Sequence, residues 1–165
     1  MAPKIQNTLA VIGGLIIGGA VNALIIKFGS PLIPVPEGVN PEDIASISAH
    51  ANEYGAKHFV IPFLAHALGT LVAAIIVCKA AATHKSLLSG LVSGFFLVGG
   101  AMMAFLLPAF WKYSIIDVLL AYVPMALIAG SLITDEDRST VEVLKGAGIG
   151  LVIGGLIGFI GMQMA

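Results

Sequence analysis

Five long apolar runs limit what this chain can become: Thr8 to Phe28, His58 to Lys79, Leu87 to Phe110, Tyr113 to Ile133 and Leu144 to Met164. A helix needs roughly 20 mostly apolar residues to cross a hydrocarbon core. Each run is continuous and lacks the period of two that marks a lipid-facing barrel strand. Inside lipid every backbone N–H and C=O needs an internal partner, so such runs become helices. The expected fold is all-α: a single transmembrane domain over residues 1–165, an integral membrane bundle of about five transmembrane helices. Composition agrees, since the chain is 58% hydrophobic and 10% charged, against about 25% charged in a typical soluble domain. A small domain has too little interior to hide so many apolar side chains from water.

The charge pattern excludes several function classes. Eight basic residues nearly balance nine acidic ones, so no basic excess points to nucleic acid. The lone cysteine, Cys78, leaves no internal disulfide framework and no cysteine-rich metal site. The first apolar run is long for a signal-peptide core and no small-x-small cleavage site clearly follows it, so a retained first span is expected.

One connection, Gly29 to Lys57, is long. Pro31, Pro34 and Pro36 favour an extended start. Asn40-Pro41-Glu42-Asp43 then has the chemistry of a helix start: a capping side chain, proline in the first turn and two acids at the positive dipole end. Ile44, Ile47, Ala51 and Tyr54 recur at helical spacing up to Gly55. This predicts a short interfacial amphipathic helix over about 41–54; the alternative is a polar loop folded back on the bundle.

Basic residues near span ends set orientation. Lys4, Lys79, Lys85, Arg138 and Lys145 share the side of the N-terminus, while Lys27, Lys57 and Lys112 lie opposite. A cytoplasmic N-terminus and an external C-terminus are therefore expected, in a membrane that is the inner membrane if the source is bacterial. No inverted repeat is visible.

Lipid tails are as apolar as leucine, so helices in a bilayer associate through close packing at small residues. The last run places Gly146, Gly150, Gly154 and Gly158 four residues apart, a flat stripe to which Gly148, Gly155 and Gly161 add. Gly14 with Gly18, and Gly90 with Gly94, repeat the spacing over a shorter length. The stripe is expected to make a close helix contact, either between copies in a homo-oligomer or with a partner membrane subunit. The alternative is an internal contact with the first span. It superficially resembles the glycine-rich helix of rotary-ATPase ring subunits, but that run has no mid-membrane carboxylate, so proton transport is not carried over.

Ionisable groups within spans are costly and often functional. Asn22, His66 and Asp117 fall at one depth on three runs, roughly 8–12 Å below the outer surface. Thr70 lies one turn below His66, and Tyr122 five residues beyond Asp117. The five form a candidate intramembrane polar site: Asp117 charged, His66 its partner, Asn22 orienting. The competing reading is interhelical glue, with an average gain of about 0.6 kcal/mol per contact. His50, Glu53 and His58 are weak candidates for zinc ligands, since His-x-x-Glu occurs once on an exposed segment; no metal is expected and no cofactor is indicated. Trp111, Lys112 and Tyr113 suit an interface anchor. Pro62, Pro108 and Pro124 should bend or end helices, and Met102 and Met103 suit packing. No nucleophile triad, phosphate loop or dinucleotide fingerprint is present.

His58-Phe59, then Pro62-Phe63-Leu64-Ala65-His66-Ala67-Leu68-Gly69-Thr70, and later Ala121-Tyr122-Val123-Pro124-Met125-Ala126 resemble segments of small uncharacterised bacterial multi-spanning membrane proteins. The resemblance covers about the first four spans and implies class without activity. Three roles remain open: an oligomeric carrier or channel for a small solute or ion, a non-catalytic accessory or scaffold subunit, and a membrane enzyme using His50, His58 and His66. The last has no activated nucleophile to support it.

Overall fold

The computed structural model describes residues 1–132 and 139–163, with nothing said of the Met162 side chain. Ile133, Arg138 and Met164, which entered the expectations above, lie outside the described residues. Among those residues the chain is helical and contains no strand. The elements are α1 (Pro3–Gly29), α2 (Ile44–Ala49), α3 (Val60–Ala80), α4 (Lys85–Leu106), α5 (Trp111–Leu120), α6 (Val123–Leu132) and α7 (Thr140–Gln163). With their short 3-10 extensions they make five helical segments long and apolar enough to cross a membrane: Pro3–Leu32, Ala56–Ala80, Lys85–Leu106, Pro108–Leu132 and Thr140–Gly161.

Proline decides where several elements begin and stop. Pro3 occupies the first turn of α1, where its missing N–H costs nothing. Pro108 ends α4 at Leu106 rather than Phe110, because the preceding Leu107 is pushed out of the helical region to φ −123°, ψ 64°. Pro108–Phe110 instead forms a 3-10 turn that leads into α5. Pro124 breaks the fourth segment: α5 stops at Leu120, two bend residues follow, and α6 resumes at Val123. Proline offers no N–H to the Leu120 carbonyl and its ring crowds it.

The long connection contains less α-helix than its spacing predicts. Asn40 does not cap a helix; its side chain accepts from the Glu42 N–H at 3.0 Å and the Asp43 N–H bonds the Asn40 carbonyl at 3.2 Å. The Asn-Pro pair makes a turn instead. Asp43 is the cap, accepting from the Ala45 N–H at 2.9 Å, and α2 runs only from Ile44 to Ala49 before a 3-10 turn at Ala51–Glu53.

Two helix seams carry most of the packing: α1 with α3, and α4 with α7, while α3 and α4 meet each other and α6 in the middle. The α1–α3 seam is antiparallel. Gly18 faces Gly69 and Ala73, and Gly14 faces Ala73 and Val77. Its far end is tied by polar side chains. Gln6 donates to the Ala80 carbonyl at 2.9 Å, and Asn7 accepts from the Ala82 and Thr83 N–H groups at 2.9 and 3.2 Å. The α4–α7 seam is parallel and closer. A Cβ added at Gly146 or Gly150 would overlap the Leu87 or Leu91 carbonyl, and one at Gly90 or Gly94 would overlap that of Val143 or Ala147. Glycines on both helices thus admit the opposite backbone, the geometry of Cα–H···O contacts. Gly154 continues the seam against Val98 and Phe95, and Gly158 reaches only Met102.

The stripe expected to meet a neighbouring copy is therefore covered, over Gly146, Gly150 and Gly154, by α4 of the same chain. The first span is not its internal partner either. Gly148, Gly155 and Gly161 look onto open space. Core residues are small: Ala10, Ala73, Ala74, Val77, Ala126 and Ala129 gather where α1, α3, α4, α6 and α7 converge. Large apolar side chains such as Ile5, Ile16, Leu24, Val152, Leu156 and Ile160 point outward from α1 and α7.

Candidate functional site

One polar cluster lies partway along the bundle, where α3 meets the broken fourth segment. His66 sits on α3, eleventh of the 25 residues in Ala56–Ala80, and Asp117 on α5, tenth of the 25 in Pro108–Leu132. The His66 Nδ1 lies 3.0 and 2.9 Å from the two Asp117 carboxylate oxygens. A carboxylate has only acceptors to offer, so the proton between them sits on Nδ1 and Nε2 is the imidazole's remaining acceptor. The Tyr122 hydroxyl donates to Asp117 Oδ2 at 2.9 Å. Its ring stacks beside His66, centroids 5.8 Å apart. The two ionisable side chains retain 25% and 18% exposure, whereas Tyr122 is fully buried.

The backbone break makes this arrangement possible. Tyr122 follows Asp117 by five residues, a spacing that a straight helix would splay by more than a quarter turn. The bend at Ala121–Tyr122 before Pro124 brings the phenol back onto the carboxylate. Gly100 of α4 supplies the floor: a Cβ there would overlap the Tyr122 hydroxyl. Ala67, Ala121, Phe63, Phe96, Leu97 and Met125 wall the cluster with apolar groups.

Thr70 lies one turn further along α3 on the His66 face. It is 0% exposed, and its Oγ1 has no hydrogen-bond partner. A helical threonine ordinarily bonds a carbonyl of the preceding turn. Asn22 is at the expected level but packs into the α1–α3 seam, its Cβ against Gly69; no hydrogen bond joins it to His66 or Asp117 among the described residues. His66, Asp117 and Tyr122 are thus brought together, Thr70 stands one turn from His66 unpaired, and Asn22 is not hydrogen-bonded to them.

Aromatic rings pack together at the end of the α3–α5 contact nearest the long connection. Phe59 stacks on Tyr113 at 3.9 Å, Phe110 meets Phe59 edge-on at 5.0 Å, and Tyr54 meets Phe110 at 5.2 Å. Tyr113 precedes Asp117 by one helical turn. Burial pushes the Tyr54 phenol above its ordinary pKa. The exposed Trp111 and Lys112 lie at the same end, the Lys112 Nζ 5.6 Å from the indole. The weak zinc candidates do not converge. The His50 Nδ1 faces the Ser46 carbonyl and the His58 Nδ1 faces Gly55, and no group of three possible ligands occurs among the described residues.

Gly100 and the α4 serines escaped the sequence reading. Gly100 stands off the register of Gly90 and Gly94, the one signal that it serves a different neighbour. Together these features define a small all-helical bundle with membrane-length segments and a His–Asp–Tyr cluster at a helix break. No protein-family model, curated protein or solved structure matches the chain.

Proposed function

We propose that this protein is an integral membrane protein that carries or conducts a small ion or solute, with His66, Asp117 and Tyr122 as its binding site. The observation that carries the reading is a carboxylate held by an imidazole and a phenol within two membrane-length segments, at a broken helix. A charge in hydrocarbon costs several kcal/mol, and such residues mark substrate and ion pathways far more often than their rarity would suggest. Interrupted helices near mid-span are a recurring way to build transport sites. Interhelical glue needs neither a charge nor a break, and the glycine seams already hold the helices together. The accessory-subunit reading loses the surface that favoured it, because α4 covers most of the α7 stripe. The basic-residue bias supports an N-terminus in the cytoplasm and, for a bacterial source, the inner membrane; α2 and its flanking turns lie on the opposite face.

The test is electrical. Purified protein in liposomes, adsorbed on a solid-supported membrane, is exposed to concentration jumps of H⁺, Na⁺, K⁺ and Cl⁻. A transient current with at least one of them, lost in Asp117→Asn and His66→Gln, supports the reading. Currents equal in wild type and both variants, or none above empty liposomes, would overturn it.

A further inference from the structure

We propose that the species handled at the His66–Asp117 pair is a proton, delivered from the side of the N-terminus along the buried hydroxyls of Thr70, Ser93, Ser89 and Ser86. This rests on the transport reading above and names its substrate and its direction of access.

Four buried polar side chains occur among the described residues: Thr70, Ser86, Ser89 and Ser93. All four lie between the His–Asp–Tyr cluster and the N-terminal side, none toward the aromatic end. Ser86, Ser89, Ser93 and Gly100 are spaced by three, four and seven residues on α4, which places them on one helix face. Gly100 identifies that face, because it touches the Tyr122 hydroxyl. The serine stripe and the cluster therefore share a surface. α3 and α4 run antiparallel from the turn at 81–84, so Thr70 stands at about the level of Phe95, between Gly100 and Ser93. Its Oγ1 has no partner, and it stands at the level of the gap in the stripe.

The file reaches the surface. The Ser86 Oγ accepts from the Ser139 N–H at 3.1 Å, at the start of α7. Ser89 donates to the Ser86 carbonyl at 2.9 Å and Ser93 to the Gly90 carbonyl at 2.8 Å, leaving each oxygen able to accept. Successive serines are about 4.5–6 Å apart along the axis, a gap that one bridging water in each interval would span. Hydroxyls and water pass protons by exchanging which hydrogen bond carries the hydrogen. A metal cation would need several oxygens converging on one point, and a single file does not supply them.

A proton arriving from water adds to His66 Nε2 and gives an imidazolium paired with the Asp117 carboxylate. Its departure restores the neutral ring, so atoms and charge balance. Asp117 and Tyr122 are the titratable groups that face His66. α4 has none beyond Lys85, α6 has none, and α1 has none between Lys4 and Lys27.

Pyranine-filled proteoliposomes with a valinomycin-set potassium potential test the path. Wild type should acidify or alkalinise the lumen according to the sign of the potential. Thr70→Val and the double variant Ser89→Ala/Ser93→Ala should each slow this at least tenfold, and Thr70→Ser should restore it, which separates a lost hydroxyl from a misfolded bundle. Wild-type rates in Thr70→Val and the serine double variant, with Asp117→Asn inactive, would overturn the path and leave the site standing. Wild-type rates in Asp117→Asn as well would overturn the site itself. A wild-type current for another ion with no pyranine response would overturn the proton.

Discussion

The α4–α7 seam and the α3–α5 contact join helices in opposite ways. The seam uses no side chain at all over much of its length: Gly90, Gly94, Gly146 and Gly150 let backbone meet backbone. The other contact uses a carboxylate, an imidazole and a phenol across a break. Glycine costs roughly 1 kcal/mol relative to alanine in a helix interior, and close approach returns that through packing. A half-buried carboxylate has no such guarantee, because its desolvation rivals what its hydrogen bonds return. The seam is explained by stability alone, whereas the pair needs a further reason to exist.

The comparison can be broken at the seam. Gly146→Leu/Gly150→Leu places two side chains where the Leu87 and Leu91 carbonyls lie. The expected loss exceeds the roughly 1–3 kcal/mol of ordinary overpacking and should appear as a large drop in melting temperature, or failure to recover folded protein. Gly148→Leu/Gly155→Leu faces open space and should not lower stability, with helix propensity returning up to about 1 kcal/mol per site. Equal effects in the two pairs would mean that α7 does not dock where described.

Smaller changes sharpen the other side. Gly100→Ala should displace the Tyr122 hydroxyl from Asp117 and cost about 1–2 kcal/mol, while slowing transport. Tyr122→Phe removes the hydroxyl without the steric push, at about 0.5–1.5 kcal/mol. A double variant no worse than Gly100→Ala alone, measured by unfolding in mild detergent, would show that the glycine acts through that hydrogen bond. Gly158→Ala should cost least of the seam changes that touch a neighbour, because its Cβ would meet only the Met102 sulfur at 3.8 Å, an ordinary contact with a flexible side chain.

The helices were legible because lipid crossing demands long apolar runs, and the five runs stand out from polar connections. Their ends were less so: Leu107 yields to Pro108, and the Asn40-Pro41 turn takes three residues from α2. Two parts of the site could be read from residue type, since His66 and Asp117 are ionisable groups in apolar context. The third, Tyr122, was placed near them by counting along the chain, but its hydrogen bond to Asp117 needed the fold. Tyr122 reaches Asp117 only through a break whose presence Pro124 suggests but whose direction it does not. Asn22 shows the converse: depth along a helix follows from counting, whereas the face it presents depends on which neighbour docks. The glycine stripe announced a close contact, but its partner across a parallel pair lay two runs of sequence away and no local pattern names it.

Asp117→Asn, assayed for ion flux and for stability in the same liposomes, tests most directly whether the pair is a site rather than glue. The expected result is loss of flux with a melting temperature close to wild type, because the seams remain whole. Unchanged flux, or loss of flux only in step with loss of folded protein, would contradict it.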